Sequence, residues 1–333
     1  MYENFKSHDL AVYGGYLNND KELLECTSGG IATALSRQMI RQGGYVAGVT
    51  YSEDFYTAKY KLAYNEEQLE KFKGSKYMEV DRAGIYRDVK ALLDEGKKVL
   101  FFGLPCTVAG INLFTKREYD NLITCELVCH GPTKAKVHME YIDYLENKFN
   151  SKIIDFSVRR KRNAWFPPYL SAKFENGKVF EKEFYRTEYG YAFKLMGKSS
   201  CYHCSFKGNN RTGDIMIGDF LGATEQDEFW NSKGISVIFA HTEKGKRFLK
   251  MTKGIQLFET DFEKAITNNL MVIQSREKEP EKEYFEKMFD KKGLIYAVHH
   301  SRYFRRKEWI FNIKFIPRSA KHLLKNVSNK ILK

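Results

Sequence analysis

The sequence predicts an α/β fold: a mixed, mostly parallel sheet with helices, continued by a C-terminal part that contains a β-hairpin and carries a Cys-x-x-Cys loop. Three observations predict it. Apolar runs alternate with amphipathic stretches through the first 150 residues, the pattern changes after Asn150, and an Asn-Gly turn separates two alternating segments between 169 and 184. At 333 residues, with 43% apolar and 15% aromatic content, the chain has enough material for a large core, as one big domain or two medium ones.

Each element has its own local reason. Ile31, Leu35 and Met39 form a helical stripe after Ser28-Gly29-Gly30, with the serine placed to start the helix and Gly43-Gly44 to stop it. Tyr45–Tyr51 then reads as a strand. Ile85, Val89, Leu92 and Leu93 repeat the helical spacing and end at Gly96. Lys98–Gly103 is a short apolar strand of the kind buried on both faces. A helix over 108–114, a strand over 122–128 and a long helix over 135–149 complete this half. Beyond it, the segments 169–174 and 179–184 flank Glu175-Asn176-Gly177-Lys178, where Asn-Gly suits a type I′ turn. Strands over 214–218 and 235–241 and charged helices over 261–269 and 279–290 follow. The expected division is 1–150, 151–295 and a basic tail, 296–333.

The net charge of +13 is concentrated at the end of the chain. Residues 301–333 hold ten Lys or Arg and one acidic residue, Glu308, so the body is only mildly basic. Arg305-Arg306-Lys307 beside Trp309, Phe311 and Phe315, then Leu324, Val327 and Ile331 at helical spacing, suit the anionic inner face of a membrane. A terminal helix packed on the body is the competing reading. No nucleic-acid module accompanies the charge, so nucleic acid is not an expected partner. With no signal peptide and no run long enough to span a bilayer, the expected location is the cytoplasm, with peripheral membrane contact through the tail.

Six cysteines without a secretory signal favour metal or redox chemistry over disulfides. Cys106 and Cys129 lie where strands end in turns, the place where α/β sheets gather ligands. Cys201 and Cys204 form a short pair in a polar loop. Such a set can hold an iron–sulfur cluster, can contribute to a zinc site, or can be four unrelated thiols. Cys125 reads as a buried apolar residue, Cys26 as structural, and His203 as an exposed loop histidine. Ser28-Gly29-Gly30 before a helix suits a phosphate, although capping explains it as well. Gly74-Ser75-Lys76-Tyr77 offers a cation and an aromatic face. Asp219, at a strand end, can bond a ligand or cap the next turn. His130 is a candidate proton donor beside Cys129. The chain has no Gly-x-Gly-x-x-Gly fingerprint, so an ordinary Rossmann dinucleotide site is not expected.

These motifs together resemble the beta subunit of coenzyme F420 hydrogenase/dehydrogenase, a family of iron–sulfur flavoproteins. The matching stretches are Ser28–Leu35, Gly74–Tyr77, Gly103–Gly110, Cys129–Gly131, Cys201-x-x-Cys204 and Gly213–Phe220, in family order over most of the chain. The resemblance implies a 4Fe–4S cluster on Cys106, Cys129, Cys201 and Cys204, completed by the part after residue 150, with FAD next to it in the first part. It implies electron transfer between a two-electron carrier and one-electron partners, the donor being a redox protein or a reduced deazaflavin or flavin. The ferredoxin-like N-terminal segment of many bacterial members has no counterpart here. Similar members are associated with surface-polysaccharide biosynthesis, which points toward a glycan substrate. The alternative is a non-catalytic, membrane-associated accessory protein with a structural Cys₄ zinc site.

Overall fold

The structure is a computed structural model and describes residues 11–306 apart from positions 83, 210 and 303. The expected tail helix and its membrane contact lie outside the described residues. Eleven strands are found among the described residues: β1 (Ala11–Leu17), β2 (Tyr45–Tyr51), β3 (Ala58–Ala63), β4 (Val99–Gly103), β5 (Leu122–Leu127), β6 (Ile153–Arg160), β7 (Tyr169–Phe174), β8 (Val179–Glu183), β9 (Ile215–Asp219), β10 (Ser236–Ala240) and β11 (Ile255–Glu259).

Eight of them form one sheet in the order β11-β1-β10-β9-β5-β4-β2-β3. Its centre, β2-β4-β5-β9, is parallel. Both flanks are antiparallel. The central strands are short apolar runs because helices cover both faces; Val99, Leu100 and Phe101 of β4 are fully buried. Strands β6, β7 and β8 make a separate antiparallel sheet. The chain leaves the large sheet at the end of β5, Leu127, and re-enters it at residue 215, placing β9 beside β5.

Local chemistry explains three departures from the expected elements. The helix after β4 runs Pro105–Thr115, starting three residues early, because proline at its first position has a helix-compatible φ and no N–H to leave unpaired. The helix Ile31–Arg41 is capped by Gly30 with no side-chain cap, so Ser28 does not start it. In the hairpin, the Phe174 carbonyl accepts from Gly177 N–H at 3.0 Å, and only Gly177 of the turn has positive φ (+79°). This is a tight turn followed by a left-handed glycine, the three-residue loop rather than type I′.

Candidate functional site

The parallel centre of the large sheet directs the site. Cys106 is the second residue of the helix Pro105–Thr115 and is solvent-exposed. Cys129 follows the end of β5, two residues beyond Leu127. Cys201 lies in the 3₁₀ turn Ser199–His203, and Cys204 comes directly after it. The turn at Cys129-His130-Gly131 receives the Cys-x-x-Cys pair: a β-carbon on Gly131 would stand 3.1 Å from Cys201 Sγ. Gly131 N–H also donates to Cys129 Sγ at 3.2 Å.

Electrostatics tie the four thiols together. Burial pushes the Cys129 thiol up to about 11, with Cys106 and Cys201 adding to the rise. Cys201 is raised by burial first, then by Cys204 and Cys106. The structure thus brings all four cysteines into one neighbourhood. It also surrounds them with cations that no sequence pattern singles out. Lys207 Nζ donates to the Cys129 carbonyl at 2.7 Å and to that of Met271, and its ammonium is lowered by burial while Cys129, Cys204 and Cys201 act to raise it. Arg276 donates to the carbonyls of His130 (3.1 Å), Lys194 (2.5 Å) and Phe193 (3.3 Å). Arg211 pairs with the buried carboxylate of Glu126 at 3.3 Å. That carboxylate accepts from Thr212 N–H (3.1 Å) and Gly213 N–H (2.8 Å), latching the segment after the cysteine pair onto β5. Lys207, Arg276 and Arg211 sit in irregular segments, where periodicity carries no information.

Four thiols are the donor chemistry that an iron–sulfur cluster takes. Thiolates on an inorganic core form an anionic centre, and backbone N–H groups and fixed cations stabilise it. Among the described residues no three His, Cys, Asp or Glu side chains are arranged to hold a metal ion. Cys125 is fully buried in the core, its thiol raised well above the usual range by burial. Cys26 is buried beside Thr33 at 3.3 Å. His203 is exposed. His130 is exposed but crowded by protein on most sides; that crowding, then Lys207, lowers its imidazole to about 4.

A cavity of about 1120 Å³ opens between the ends of β2, the segment 70–76 and β6. Gly74, Ser75 and Lys76 line it; Ser28, Gly29, Gly30, Tyr77 and Asp219 do not. The reasons are local. Ser28 Oγ donates to the carbonyls of Ile235 (3.0 Å) and Gly218 (3.2 Å), tying the turn to strand ends. A β-carbon on Gly29 would meet the Gly15 carbonyl oxygen at 2.2 Å, so this glycine serves close backbone packing. Lys76 lines the cavity, but its ammonium donates to the carbonyls of Lys73 (2.8 Å), Phe72 (3.0 Å) and Gly74 (3.0 Å), and burial lowers it to about 7. Tyr77 stacks on Phe193 with ring centroids 4.6 Å apart.

Strand β6 forms one wall. Asp155, Phe156, Ser157, Arg159 and Arg160 of β6 line the cavity, and Lys161, just beyond the strand, lines it too. Arg159 pairs with Asp219 at 2.8 Å, with both side chains largely buried. Asp219 Oδ1 and the Tyr51 hydroxyl are buried without hydrogen-bond partners in the protein. Orphaned polar atoms here and in the cavity wall suit a ligand that carries its own donors and acceptors. Asp219 and Arg159 both act on His130 through their charges, in opposite directions. Burial lowers Lys161 to about 8.

Such a scaffold belongs with the α/β oxidoreductases. More particularly, the chain belongs to the family described by the C terminus of the beta subunit in coenzyme F420 hydrogenase/dehydrogenase, whose model matches residues 96–264. It is a redox protein of the hydrogenase/dehydrogenase beta-subunit kind. Among solved structures it is similar to a chain of the F420-reducing [NiFe] hydrogenase complex from Methanosarcina barkeri, studied by xenon derivatization. The identity is 17% and the TM-score 0.52, over 86% of this chain and 89% of that one. A likeness at that identity concerns the fold. No curated protein sequence matches the chain. No helix among the described residues is long and apolar enough to cross a membrane.

Proposed function

We propose that the protein is an iron–sulfur flavoprotein oxidoreductase. Cys106, Cys129, Cys201 and Cys204 would hold a 4Fe–4S cluster, and the adjoining cavity would hold FAD. When bound, the flavin supplies exchange of a hydride equivalent and the cluster supplies transfer of single electrons. The chain's own residues position these groups. Gly131 leaves room for Cys201, the Glu126–Arg211 pair latches the cysteine segment, and Lys207 and Arg276 offset negative charge. The Arg159–Asp219 pair ties the wall of the cavity to the end of β9. The donor in this reading is a partner redox protein or a reduced deazaflavin or flavin carrier, and the acceptor a sugar or lipid-linked glycan.

What supports the reading is that Cys106, Cys129, Cys201 and Cys204, from three separate segments, lie near enough to influence one another electrostatically, with Lys207 and Arg276 beside them. Anaerobically purified protein tests it through iron, labile sulfide and flavin content and a visible spectrum. Flavin bands over a broad, bleachable absorption are expected, and Cys201→Ser should lose the broad absorption while keeping the fold. Colourless protein containing only zinc would overturn the proposal in favour of an accessory role.

A further inference from the structure

The cavity wall carries nine Lys and Arg against five Asp and Glu. Most of these cations are exposed or already committed. Lys76 is spent on carbonyl oxygens, Arg159 on Asp219, Arg160 on Asp155 and Lys73 on Glu70. Lys21, Lys59, Lys61 and Lys71 are exposed. Lys161 is different. It is 8% exposed and, among the described residues, has no carboxylate within ion-pair distance. Its ammonium is held by the carbonyls of Ser28 (2.5 Å) and Leu23 (2.7 Å). Room for it is built in: a β-carbon on Gly234 would stand 2.6 Å from Lys161 Nζ.

Burying an ammonium without a counter-charge is costly, and two carbonyls offset only part of that cost. An ammonium has three N–H donors, so these two carbonyls leave one to spare, and Lys161 is part of the cavity wall. Thr27, next to Ser28, and Arg159, two residues before Lys161, also line the cavity. We propose that Lys161 is the anion anchor of this cavity, taking the diphosphate of a nucleotide ligand. This deepens the cofactor reading above and rests on it for the expectation of a nucleotide. The diphosphate has two sources to distinguish, a dinucleotide such as FAD and a free nucleoside diphosphate.

The test is titration of the full-length protein, freed of carried-over nucleotide, with FAD and separately with UDP. Lys161→Gln is expected to weaken the ligand that wild type binds by at least about tenfold, the usual size of a lost charged hydrogen bond. Iron content should be unchanged. Because Lys161 also secures the turn at Ser28, a second variant guards against misfolding. Thr27→Asp leaves the lysine in place, sets a carboxylate beside it and should weaken binding similarly. Binding of UDP but not FAD, lost in both variants, would uphold the anchor and overturn the flavin reading. Wild-type affinity for FAD in both variants would overturn the anchor and leave the flavin reading standing. Failure of wild type to bind either probe would overturn both.

Discussion

The Cys201 sulfur lies 3.1 Å from the point where Gly131 would carry a β-carbon, and Gly131 has φ of +85°. Gly131→Ala therefore meets two obstacles: the left-handed conformation costs an L-residue about 1–2 kcal/mol, and the new methyl pushes Cys201 away from Cys129. The expected result is a modest drop in melting temperature with a marked drop in iron per chain, measured on the same anaerobic preparation. Iron content equal to wild type would show that the thiols are not held by this contact.

Glu126 is fully buried, and Arg211 and two backbone N–H groups depend on it. Glu126→Gln keeps the shape but removes the charge, leaving a guanidinium buried without its counter-ion. Breaking a buried pair in this way costs about 3–5 kcal/mol. Chemical denaturation should show a loss of that order, and the segment 211–213 should exchange its amide hydrogens faster.

His138 is fully buried, stacked on Tyr51 at 5.4 Å, with Nε2 2.6 Å from the Phe55 carbonyl oxygen and Nδ1 lacking a partner. Burial lowers its imidazole to about 4. Above about pH 6.5, the ordinary histidine value, it is neutral both folded and unfolded and carries no penalty. Between about 6.5 and 4 the unfolded chain takes up a proton that the folded chain refuses, so stability falls as pH falls, by about 3 kcal/mol over the window. His138→Phe removes this contribution. Melting temperature plotted against pH should be flatter for the variant than for wild type across that window; parallel curves would refute the assignment.

Legibility in the sequence followed the kind of signal each element carries. The helices Ile31–Arg41 and Ala135–Phe149 and the strand β5 announce themselves through apolar spacing. Strand β1 does not, because Gly14 and Gly15 interrupt it and its partners β10 and β11 lie more than two hundred residues away. Strand β6 escapes notice because its charged positions resemble a solvated loop until the cavity they line exists. Cys106 and Cys129 were placed correctly beyond the ends of β4 and β5 because the apolar runs before them stop at turn residues. Lys76 was misleading for the opposite reason: a lysine in a loop is directed by how the loop closes, and here it closes onto the ammonium. Lys161, the buried cation of the cavity, has nothing in its flanking residues to distinguish it from the lysines that remain in solvent.

Strand β9 pairs directly with β5, although some ninety residues separate them and an entire second sheet intervenes. A nascent chain emerging in order has Cys106 and Cys129 available early, but the latch on Glu126 comes only with residues 211–213. On the proposed cluster assignment, inorganic loading would be a late event in maturation: Cys201, Cys204 and the latch all follow the second sheet in the chain, and Cys106 is the solvent-exposed thiol through which delivery would begin.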